Sequence, residues 1–133
     1  MNVKNFLIGT FAAGVAFFLL GWVFYGILFP NIWPLAEGAT PNPMYSVLGG
    51  IVSGAALSYV FDKIGNMSIQ SGAITAAVMG LLGSVSMRFY MMGNGNCTSM
   101  NVLLTDAAVN LVIGAVAGAA ICFLVGKFGG SNE

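Results

Sequence analysis

The chain has 133 residues, 58% of them apolar, with four basic and four acidic side chains and a net charge of zero. At 6% charged residues it falls far below the roughly 25% of soluble domains, so it cannot cover a water-facing globular surface. The absence of any basic run removes the electrostatic footing for nucleic-acid binding, and the absence of histidine removes the commonest metal ligand and general base.

The apolar residues fall into four blocks, near 6–29, 44–61, 69–92 and 102–126. Crossing a bilayer takes roughly 20 residues at ~1.5 Å each. The expected fold is therefore all-α, a polytopic membrane four-helix bundle forming one domain over 1–133. The first block is too long for the 7–15-residue apolar core of a signal peptide and is read as a retained helix. Its bulk, in Phe6, Phe11, Phe17, Phe18, Trp22 and Phe24, marks it as the element facing lipid or a partner protein. The loop that follows holds Pro30, Pro34, Pro41 and Pro43. Proline stops the first helix, and Pro43 suits the first turn of the second, capped by Asn42. The second block is the shortest and is expected to extend toward Tyr45 and Asp62. The short turn after it, with Gly65 and Asn66, predicts an antiparallel pairing of helices 2 and 3. Asp62 and Lys63 there read as an ordinary interfacial pair.

In lipid, helices associate through close packing rather than hydrophobic drive. Small residues recur every fourth position at Gly50, Gly54 and Ser58, at Ser68, Gly72, Ala76, Gly80 and Ser84, and at Gly114, Gly118, Cys122 and Gly126. Helices 2, 3 and 4 are therefore expected in mutual contact, with Gly50, Gly54, Gly72, Gly80, Gly114 and Gly118 as packing residues. Residues 47–66 and 111–130 also resemble each other at an offset of 64: Gly50 matches Gly114, Gly54-Ala55-Ala56 matches Gly118-Ala119-Ala120, and Lys63 matches Lys127. This suggests two tandem hairpins, 1–66 and 67–133, with the same orientation in the membrane.

Lys4, Lys63 and Lys127 fall at helix ends that share one side of the membrane, and the loops 30–43 and 93–101 lack Lys and Arg. The positive-inside rule places both termini in the cytoplasm. Trp22, Tyr25, Trp33, Tyr45, Phe89 and Tyr90 then fall near the outer boundary as interfacial anchors. Ionisable groups inside a membrane are functional candidates by default. Asp106 is foremost, with Asn110 one turn deeper on the same face and Arg88 of helix 3 at a similar height. An Arg88–Asp106 pair would join helices 3 and 4. Asn101 and Thr105 continue the polar face outward, and Glu37 could reach Arg88. Asp106, Asn110 and Arg88 would form the outer mouth if the protein bound a small solute or ion. Cys97 and Cys122 lie toward opposite faces, which argues against a disulfide between them. No catalytic arrangement, metal-ligand spacing or cofactor motif is present in the sequence.

The stretch Phe18-Leu19-Leu20-Gly21-Trp22-Val23-Phe24-Tyr25-Gly26-Ile27-Leu28-Phe29, with Trp33 downstream, resembles the first helix of a widespread group of small uncharacterised bacterial integral membrane proteins. The resemblance implies a four-helix fold in the bacterial inner (plasma) membrane and transfers no functional residue. The functional expectation is a non-enzymatic accessory subunit or scaffold of a larger membrane complex, tolerant of Asp106→Asn. The alternative is a small channel or transporter acting as a homo-oligomer.

Overall fold

The computed structural model describes residues 2–30, 38, 40, 42–65, 68–95 and 99–130. Four helices run through it: α1 (Val3–Gly21), α2 (Pro43–Ile64), α3 (Ile69–Gly93) and α4 (Met100–Phe128). A seven-residue π-helical segment, Trp22–Leu28, continues α1, making one span of 26 residues. Each of the four is long and apolar enough to cross a membrane, and in a bilayer a helix satisfies its own backbone groups. Each starts on a side chain that accepts from an otherwise unpaired amide. Asn2 Oδ1 accepts from Asn5 N, Asn42 Oδ1 from Met44 N beside Pro43, Ser68 Oγ from Ser71 N and Ser99 Oγ from Val102 N. At the far end of α2, Gly65 adopts φ +93°, a conformation glycine enters without a Cβ clash.

The packing order is α2–α1–α4–α3. This corrects two expectations. Helix 1 is not peripheral: it packs between α2 and α4. Helices 2 and 3, although consecutive, hardly touch, and α2 reaches α4 only marginally. The reason lies in how the small residues of α1 are distributed. Asn5, Gly9 and Ala13 are buried at four-residue spacing and Gly14 beside them, while Phe11 is 71% exposed on the other side. The bulky phenylalanines that dominate the helix by mass thus leave a narrow face of small residues for its neighbours.

Within each hairpin the backbones meet at glycine. A Cβ on Gly50 would lie 3.3 Å from the Gly14 carbonyl, and one on Gly54 would lie 2.7 Å from both Gly14 N and the Thr10 carbonyl of α1. A Cβ on Gly114 would collide with the Ala76 carbonyl, and one on Gly118 with the Gly72 carbonyl, both in α3. Gly80 packs against the Asn110 carbonyl and Gly72 against Cys122 of α4. The core between the hairpins is small and apolar, built on Ala13, Leu57, Phe61, Ala76, Ala117 and Ile121. Large apolar side chains such as Leu7, Val52, Leu82 and Leu104 point outward on all four helices, as they do when the surrounding solvent is hydrocarbon.

Candidate functional site

Asp106 lies in the second turn of α4 and is buried, as is Arg88 in the last turns of α3. Their heights match because α3 and α4 run antiparallel. Arg88 Nε donates to Asp106 Oδ2 at 3.0 Å. Ser84, one turn from Arg88 on the same face, donates its hydroxyl to the same oxygen at 2.9 Å. The other oxygen, Oδ1, accepts from the Tyr25 hydroxyl at 2.7 Å and from Asn110 Nδ2 at 3.1 Å. Asn110 Nδ2 also reaches the Tyr25 hydroxyl oxygen and the Asp106 carbonyl, each at 2.8 Å. The carboxylate thus has two donors on each oxygen, which fills the acceptor capacity of an ionised carboxyl group.

The cluster joins three helical spans. Tyr25 sits within the π-helical segment, whose wider turns are seen in the bond from Phe29 N to the Phe24 carbonyl. Such segments are rare and often lie at functional positions. A buried ion pair stabilises only when further hydrogen bonds satisfy its remaining groups, and Tyr25, Ser84 and Asn110 supply them.

The sequence-expected residues Arg88, Asp106 and Asn110 therefore converge. Tyr25 and Ser84 join them. In the sequence Tyr25 reads as an interfacial anchor and Ser84 as a small packing residue. Ser84 stands four residues before Arg88 just as Asn110 stands four after Asp106, a signal present in the spacing. Nothing in the spacing announces the π-helical turn at Tyr25. Thr105 turns away and donates to the Asn101 carbonyl at the exposed start of α4. Trp22, Tyr45, Phe89 and Tyr90 are exposed. Glu37, Trp33 and Cys97 lie outside the described residues. Cys122 is a free thiol.

The opposite end of the bundle is organised differently. Asn5 near the start of α1 brackets Gly130 beyond α4: its Nδ2 donates to the Gly130 carbonyl at 3.0 Å, and its Oδ1 accepts from Gly130 N at 2.9 Å. Ser58 of α2 donates to the Phe6 carbonyl at 2.9 Å. The ends of α1, α2 and α4 carrying Lys4, Lys63 and Lys127 thus meet. Here Asp62 and Lys63 do not form the expected interfacial pair. The Lys63 ammonium lies 5.4 Å from the centre of the Tyr59 ring, and Asp62 Oδ1 is buried without a hydrogen-bond partner. Adjacent helical residues point about 100° apart, so Asp62 turns inward as Lys63 turns out.

Among the described residues no group of three or more His, Cys, Asp or Glu side chains comes together. Comparisons with known protein families, with functionally described proteins and with solved structures return no match to this chain.

Proposed function

We propose that this small integral membrane protein is a non-enzymatic accessory subunit or scaffold of a larger membrane-protein complex. The observation that carries the reading is the state of Asp106. All four of its acceptor positions are occupied by side chains of the same chain, so the most conspicuous intramembrane charge acts as a lock between helices. The open packing order adds to this. Helices 2 and 3 each have only one principal neighbour, which leaves long apolar faces for a partner span. We further read the two hairpins as tandem repeats of one unit in the same orientation, because Gly50 and Gly54 meet α1 as their counterparts Gly114 and Gly118 meet α3. The three lysine-bearing ends support a cytoplasmic location for both termini, and the likeness of the first helix supports a place among the small bacterial inner-membrane proteins.

A cavity lined by Asn5, Ser58, Asp62 and Cys122 at the lysine-bearing end favours a second reading, a small oligomeric channel or transporter. Against it, the stretch between that cavity and Asp106 contains the buried apolar residues Ala13, Leu57, Ile113 and Ala117. Native mass spectrometry after gentle extraction from the native membrane tests the choice. A stoichiometric complex with larger membrane proteins is the expected result. A homo-oligomer alone, coupled to solute flux that Asn110→Ala abolishes without unfolding the protein, would overturn it.

A further inference from the structure

The end of the bundle away from Asp106 contains a cavity of about 360 Å³ between α1, α2 and α4, lined by Asn5, Ser58, Phe61, Asp62, Cys122 and Gly126 among others. Asn5 is committed to Gly130. Ser58 donates its proton to the Phe6 carbonyl, which leaves its oxygen able to accept. Asp62 Oδ1 is closed to solvent and has no donor, so a ligand in the cavity would meet this carboxylate through its other oxygen. Leaving a carboxylate oxygen buried and unpaired is costly, and among the described residues no other buried side-chain nitrogen or oxygen lacks a partner. Among the described residues the nearby lysines are turned elsewhere. Lys63 lies over Tyr59, Lys127 lies over Phe123 and Phe128, and neither lysine nor Lys4 lines the cavity.

The helix ends reinforce the sign. The cavity is bounded by the last turns of α2 and α4 and the first turn of α1. A helix carries roughly half a negative charge at its C-terminus and half a positive charge at its N-terminus, so two C-termini outweigh one N-terminus. The volume selects the kind of cation. It lies in the range of small-molecule pockets, roughly 300–1,000 Å³, and is far larger than a bare alkali ion fills. An ammonium group on a short organic stem can donate to Asp62 and Ser58 while its carbon atoms meet Phe61, Ile121 and Val125.

We propose that this cavity binds a small organic ammonium ion, with the Asp62 carboxylate as its counter-ion and Ser58 as a second acceptor. The site is independent of the Asp106 cluster and of whether the protein is a scaffold or a transporter. The ammonium could be a free amine or the headgroup of an amino-lipid, and the test separates these sources.

Full-length Cys97→Ser protein is placed in nanodiscs of phosphatidylglycerol, with or without phosphatidylethanolamine, and Cys122 in the cavity wall is labelled with a small methanethiosulfonate. Ethanolamine, titrated against matched sodium chloride, should slow labelling at least tenfold, and Asp62→Asn should remove the protection. Gly126→Leu, at a position in the cavity lining where an added Cβ meets no other atom, should block binding with Asp62 intact, which keeps the test decisive if Asp62→Asn fails to fold. Protection by ethanolamine alone identifies a free amine. Protection by phosphatidylethanolamine without added amine identifies the lipid headgroup. Protection by neither, equal protection by sodium chloride, or protection that survives both substitutions would overturn the proposal.

Discussion

Asp106 receives a proton donor from each of Tyr25, Ser84, Arg88 and Asn110, and its substitutions should rank by the charge they strand. Asp106→Asn leaves the buried Arg88 without its anion, and Arg88→Met leaves Asp106 without its cation. Breaking a buried pair from one side costs roughly 3–5 kcal/mol. Either variant should lower the midpoint of unfolding in an SDS titration by a corresponding amount, so the tolerance of Asp106→Asn expected from sequence gives way to a strong dependence. Combining Asp106→Leu with Arg88→Met removes both charges and should restore part of the loss. Tyr25→Phe removes one neutral donor and should cost less, about 1–3 kcal/mol. The pair itself was legible in the sequence because α3 and α4 run antiparallel and a count along each helix puts residues 88 and 106 at one height. Tyr25 was not, because a tyrosine near a helix end has an adequate explanation as an anchor, and only the position of α1 against α4 turns its hydroxyl inward.

Each helix meets its neighbour through a stripe of small residues, and the stripes differ in how much room they leave. Gly118 sits against the Gly72 backbone, where an added Cβ has nowhere to go, whereas Gly83 faces open space. Gly118→Ala should destabilise the bundle by about 1–3 kcal/mol, the usual range for overpacking. Gly83→Ala should be neutral or stabilising by up to ~1 kcal/mol, since alanine is the better helix former. Paired unfolding curves check both. The bracket between Asn5 and Gly130 makes a separate prediction: Asn5→Ala should speed amide hydrogen exchange at Gly130 and in the first turn of α1, leaving the Tyr25 end protected. The four spans and the Asn42–Pro43 start of α2 could be read from the sequence, because hydropathy and proline act locally. The neighbour relations could not. Glycine spacing shows which face of a helix is smooth but not which other smooth face it meets, and in α1 the large phenylalanines hid the face formed by Gly9 and Ala13.

At the scale of the molecule, Lys4, Lys63 and Lys127 share one end. Single-cysteine probes at positions 4 and 127 should therefore label from the same side of the membrane, and a probe at the exposed Gly38 from the other, as judged with an impermeant maleimide on intact cells or spheroplasts. The order α2–α1–α4–α3 also has a consequence for how the protein is made. Helices enter a membrane in the order of synthesis, and α3 brings Arg88 into the bilayer before α4 exists. An arginine in a spanning helix is tolerated poorly on its own, so the growing chain passes through a stage in which α1, already packed on α2, lacks its second neighbour and α3 holds an unmatched charge near one membrane face. Both debts to the bilayer are cleared by the last helix to emerge. A nascent chain halted before residue 100 would expose an uncompensated arginine to lipid and to the quality-control proteases of the membrane, while arrival of α4 closes the structure in a single docking event.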